Sequence, residues 1–146
     1  MKKITTMLAA MTLAASSFAA GPYDGMYVSP SGLPYLSVHT NGNSINAITY
    51  AWMPSSGSQV TNSRGVIVPV QQDFFELYGG TISGNIATVR GLGSFRGCWT
   101  DATVTFTATS ASVVVTNATA SDLAKKTGYN CSLGVNDPPA VFQKVF

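Results

Sequence analysis

Charge is scarce in this 146-residue chain: Lys, Arg, Asp and Glu together make up 10% of it, and there is one histidine and two cysteines. Nucleic-acid binding rests on clustered positive charge that displaces counterions, and no such cluster is present, so that partner class is set aside. Metal binding needs several His, Cys or carboxylate groups converging, which so few ligands do not supply, and no cofactor is expected. No GxSxG surrounds any serine, and the cysteines do not form a CxxC pair. The Gly-rich "GLGSFRG" lacks the strand-to-helix setting of a phosphate loop and reads as a turn. Asp73 and Glu76 are the nearest thing to paired carboxylates, and they read as solvating groups at a strand start. The expectation is a protein that is not an enzyme.

The first twenty residues, "MKKITTMLAAMTLAASSFAA", place Lys2 and Lys3 before a mostly apolar run from Ile4 to Ala15 and then small side chains. That order is a secretory signal peptide, with a run too short to span a bilayer. Cleavage after Ala19 puts Ser17 and Ala19 where small residues are required. The expected layout is a signal peptide at 1–19 and a single domain at 20–146, in the periplasm of a Gram-negative bacterium or secreted. Removing Lys2 and Lys3 leaves basic and acidic side chains equal in number. About 127 residues can bury on the order of two-thirds of the unfolded surface. In an oxidising compartment Cys98 and Cys131 are expected to form a disulfide, which leaves no thiol nucleophile.

Apolar alternation with period two recurs along the chain, which predicts strands. They are expected at Gly25 to Ser29, Tyr35 to Thr40, Ser44 to Met53, Gly65 to Val70, Phe74 to Ile82, Ile86 to Arg90 and Arg96 to Thr100. "ATVTFTATS", the returning "SVVVT" and Ala140 to Phe146 complete the set. Turns are expected at "PSGLP", "NGN", "PSSGS", "SGN" and "GLGS". One helix is expected from Ser121 to Thr127, with an acid in its first turn, Lys125 and Lys126 in its last and Gly128 beyond it. The fold class is all-β: a small antiparallel up-and-down barrel of 8–10 short strands with one late helix, the alternative being a β-sandwich. Closure removes the edges that invite aggregation. A membrane-spanning barrel is disfavoured, because most strands are too short and Lys144 shares a face with Phe142 and Phe146.

The stretch "PYLSVHTNGNSINAITYAWM" supplies the candidate site. An Asn41-Gly42 tip sets Val38 opposite Ile45 and Leu36 opposite Ala47; a Gly42-Asn43 tip changes partners and keeps the faces. One face carries Leu36, Val38, Ile45, Ala47, Thr49, Ala51 and Met53. The other carries Tyr35, Ser37, His39, Ser44, Asn46, Ile48, Tyr50 and Trp52. If the second face points inward, the barrel has aromatic walls and a polar mouth, and Tyr35, His39, Tyr50 and Trp52 are its ligand-binding residues. If the first points inward, the interior is a core and the rings are surface.

The threonine row Thr103, Thr105, Thr107 and Thr109 suits an exposed strand face, and a row of this kind is also what ice-binding sheets present. "SGLPY" resembles the SGxxY loop of periplasmic lysozyme inhibitors. From "YDGMYVSPSG" through the hairpin and "ELYGGTISGNIATVRG" to two late cysteines and "VFQKVF", the chain resembles small exported Gram-negative proteins of unassigned activity. These are similar to avidin-like or lipocalin-like meander barrels, and the resemblance implies fold and compartment without naming site residues. The leading expectation is a noncatalytic binder of a small hydrophobic or aromatic ligand. The alternative is an envelope protein-interaction module or inhibitor using the "PSGLP" loop, Leu33 and Tyr35.

Overall fold

A computed structural model describes residues 20–61, 63–93, 97–128, 131, 134–135 and 137–146. The expected signal segment lies outside them, as do the side chains at 52–58, 60 and 68–73. Eight antiparallel strands close into an up-and-down barrel in chain order. They are β1 (Gly25–Val28), β2 (Tyr35–Asn41), β3 (Ser44–Thr61), β4 (Ile67–Ser83), β5 (Ile86–Gly93), β6 (Cys98–Phe106), β7 (Ser110–Ala120) and β8 (Ala140–Lys144). The helix α1 (Asp122–Thr127) lies between the last two. Closure comes from β1 pairing with β8, Tyr27 opposite Lys144. No helix among the described residues is long and apolar enough to cross a membrane.

Several expectations about element limits change, and the described parts of the expected strands Arg96 to Thr100 and "ATVTFTATS" form one strand, β6. The expected strand at Gly65 to Val70, from Ile67 on, and Phe74 to Ile82 belong to one strand, β4; "PSSGS" is not a turn, and the β3–β4 ladder continues past it with a register irregularity between Pro54 and Gln59. Strand β6 ends at Phe106, where the Thr107 hydroxyl accepts from the Thr109 and Ser110 amides, so Thr107 and Thr109 belong to a turn and only Thr103 and Thr105 to the strand. The first hairpin turns on Gly42-Asn43: Asn41 faces Ser44, Val38 faces Ala47, and Gly42 adopts φ 58°. The helix follows expectation. Ser121 caps it by accepting from the Ala124 amide, and Gly128 ends it at φ 67°.

Alternation decides what fills the barrel. Inward residues of β2 and β3 are Leu36, Val38, Thr40, Ile45 and Ala47, all buried; from β4 to β6 they include Ile82, Ala87, Val89, Ala102, Val104 and Phe106. The end with the tight β2–β3, β4–β5 and β6–β7 turns carries the large buried side chains of the core. There the Tyr23 ring stacks on Phe106 with centroids 4.9 Å apart, and the fully buried Tyr27 donates its hydroxyl to the Tyr23 carbonyl at 2.7 Å. Cys98, opening β6, is disulfide-bonded to Cys131, which ties the segment after α1 back to the barrel.

Candidate functional site: the barrel interior

At the opposite end the interior is not filled. A cavity of about 190 Å³ remains, with apolar walls from Leu36, Ala47, Val89, Ala102, Val104 and Val113. Phe142 of β8 completes the wall, half-buried Pro34, Thr49, Glu76 and Tyr78 form its edge, and exposed Ala140 lies at its rim. The walls come from seven strands, so closure of the sheet is what creates the space.

Glu76 and Tyr78 are two residues apart on β4 and therefore project to the same, inward side. Tyr78 donates its hydroxyl to Glu76 Oε2. Burial, followed by the neighbouring carboxylate charge, raises the Tyr78 phenol above its ordinary value, so it stays protonated and can act as that donor. Across the ladder, Tyr78 faces Gly91 and Glu76 faces Gly93. A β-carbon on Gly91 would lie 2.3 Å from Tyr78 Cδ1, and one on Gly93 would lie 2.8 Å from Glu76 Oε1. The β5 glycines are thus the gap into which the β4 side chains fold, and "GLG" is strand instead of the expected turn. Glu76 likewise faces the cavity instead of serving as a solvating group at a strand start. The sequence carried a signal for this: two large polar side chains at alternate positions, Glu76 and Tyr78, followed on the paired strand by two glycines at the same spacing.

The aromatic face of the opening hairpin points the other way. Tyr35 and Tyr50 are cross-strand partners on the outside of the barrel, and His39 is exposed. The barrel's inward face is the small, apolar one, so Tyr35, His39 and Tyr50 do not line the cavity. Trp52 is placed opposite Asp73 in the β3–β4 ladder, and its side chain lies outside the described residues. His39 is near the tight-turn end, where its Nδ1 lies 3.1 Å from Asp24 Oδ2. Asp24 also accepts from the Thr40 amide at 2.7 Å and the Thr40 hydroxyl at 2.5 Å. Burial works against the Asp24 charge, but these bonds, the Gly21 backbone and His39 hold its carboxyl below the usual value. The trio fastens the chain start onto β2.

Outside, the exposed rings belong to a band. Tyr35, Tyr50 and Phe75 align across β2–β4, and Ile48, Leu77, Leu92 and Trp99 align across β3–β6, all at least one-third exposed. Below the band the exterior turns polar: Arg90 bonds Asp101 at 3.0 Å and its guanidinium lies 5.3 Å from the Trp99 ring centre. Asn117 also donates to Asp101 at 3.0 Å.

Comparison with known proteins returned no match. No protein-family model matches the chain, and neither a curated protein nor a solved structure does. Among the described residues no group of His, Cys, Asp and Glu is placed to hold a metal ion.

Proposed function

We propose that the chain is a noncatalytic, exported barrel that binds a small, mainly apolar ligand in its interior. The observation that carries this reading is the cavity: a closed eight-strand barrel with an apolar-walled space in its interior, away from the tight-turn end. Native interiors are close-packed, so retained space lined by apolar groups with a few polar ones at its edge is the form a ligand site takes. A dry apolar cavity of about 150 Å³ can hold benzene. The space here suits a single ring or a short branched chain. Export accords with the Cys98–Cys131 disulfide and with the sequence before residue 20. The role expected of Tyr35, His39 and Tyr50 passes to the inward residues, while the side chain of Trp52 lies outside the described residues.

Native mass spectrometry of the mature protein, purified gently from its own compartment, tests the reading. A retained small mass released on denaturation is expected, and Ala102→Leu, which fills the cavity from a fully buried wall position, should abolish it. A bare protein that also binds none of a panel of single-ring compounds would contradict the proposal.

The exterior band favours a second reading, an envelope protein-interaction module, since contiguous exposed apolar residues mark interaction surfaces. In that case Tyr35→Ala with Leu77→Ala should abolish co-purification with a partner while the fold persists. Co-purification that survives both changes would rule the band out.

A further inference from the structure

Among the described residues that line the cavity, Glu76 is the one charged side chain. Its Oε2 accepts from Tyr78, and no described residue donates to Oε1. Among the described lining residues the only other hydroxyl is that of Thr49, and none is Lys, Arg, His, Asn or Gln. The polar edge therefore offers acceptors: a carboxylate, a phenol oxygen whose proton is already committed, and one rotatable hydroxyl. An anionic occupant would meet a like charge, with no cation among the described lining residues to offset it. A purely hydrocarbon occupant would take water from the carboxylate and return nothing. A protonated amine answers both difficulties, since it donates to the carboxylate in a charge-assisted bond and can lie against the ring faces of Tyr78 and Phe142.

Resting on the cavity as the binding site, we propose that its occupant is a compact organic cation, an ammonium group carried on a single aromatic ring or short branched aliphatic body. Glu76 is the charge-selecting group, Tyr78 holds that carboxylate in place, and the apolar wall takes the body of the ligand. Gly91 and Gly93 are part of the same device, because side chains there would occupy the space that Tyr78 and Glu76 use.

Calorimetric titration of the mature protein at neutral pH with benzylammonium, benzyl alcohol and benzoate varies charge at nearly constant shape. Benzylammonium should bind at least about tenfold tighter than the alcohol, with benzoate weakest. Glu76→Gln, which keeps an acceptor for Tyr78, should bring the ammonium down to the level of the alcohol and leave the alcohol within about twofold. Equal affinity for ammonium and alcohol in the wild-type protein overturns the charge selection and leaves the cavity reading standing, and this comparison needs no variant. An ammonium affinity unchanged by Glu76→Gln also overturns it. Binding that survives Ala102→Leu, or no binding by any of the three compounds, overturns the cavity reading and this inference with it.

Discussion

At the scale of single residues, the site is made by what β5 omits. Gly91 is held by contact with a ring and with the Leu77 carbonyl, 2.8 Å from where its β-carbon would be, whereas the first obstacle at Gly93 is the flexible end of Glu76. Gly91→Ala should therefore destabilise the fold by about 1–3 kcal/mol, the usual cost of overpacking, and Gly93→Ala by less. Urea denaturation of the two variants checks the order, and a larger loss for Gly93→Ala would contradict the close approach of Tyr78 to β5. The two faces of the opening hairpin were legible in the sequence down to each residue, because alternation assigns Leu36 and Val38 to one side and Tyr35 and His39 to the other. Which side is inside was not. Period two is the same for either choice, and the decision rests with closure: small Ala47, Ala87, Ala102 and Ala111 fit the narrow interior, while paired rings such as Tyr35 and Tyr50 fit the wider outside.

At the scale of elements, local chemistry located the hairpins and α1, while long-range pairing overruled two of the turn signals. "PSSGS" has the composition of a turn, yet its neighbours stay in the β3–β4 ladder because the partner strand continues opposite them. Chain-local patterns carry no information about that partner. The disulfide was legible from cysteine number together with the expected oxidising compartment. Its loop of 33 residues implies about 3.5–4 kcal/mol of unfolded-state entropy in the simple chain model. Reduction should lower stability by roughly that amount, read as a shift of the urea midpoint with and without a reductant. An unchanged midpoint would mean that the bridge does not constrain the unfolded chain. Ser121→Ala should cost about 1 kcal/mol through loss of the cap on the Ala124 amide, a smaller shift in the same assay.

At the scale of the whole molecule, the sequence was enough for an all-β, antiparallel, closed sheet with one helix, because nearly every strand is short-connected to the next. The cavity was beyond it. Unfilled volume depends on the sum of inward side chains at one height of the barrel, and no local pattern reports that sum. The tight-turn end makes a separate prediction about pH. The Tyr27 phenol is pushed up to about 12, first by burial and then by the Asp24 charge and Tyr23, and Tyr78 is also raised. Native phenols then keep protons that the unfolded chain releases above its ordinary pKa near 10. For Tyr27 that stabilisation is fully present below about pH 10 and is lost as pH rises through about 12. Tyr27→Phe should flatten part of this alkaline loss in denaturation curves, at the cost of about 1 kcal/mol at neutral pH from the missing bond to Tyr23. An alkaline profile identical to wild type would show that Tyr27 titrates normally.

The central claim, that the ligand enters the barrel, is tested most directly by methyl NMR during titration with benzylammonium and with benzyl alcohol. The account predicts saturable shifts at Val89, Ala102, Val104 and Val113 on the inner wall, with Ile48, Leu77 and Leu92 on the outer band unmoved. Shifts confined to the outer band, or a silent inner wall at the solubility limit of both compounds, would contradict it.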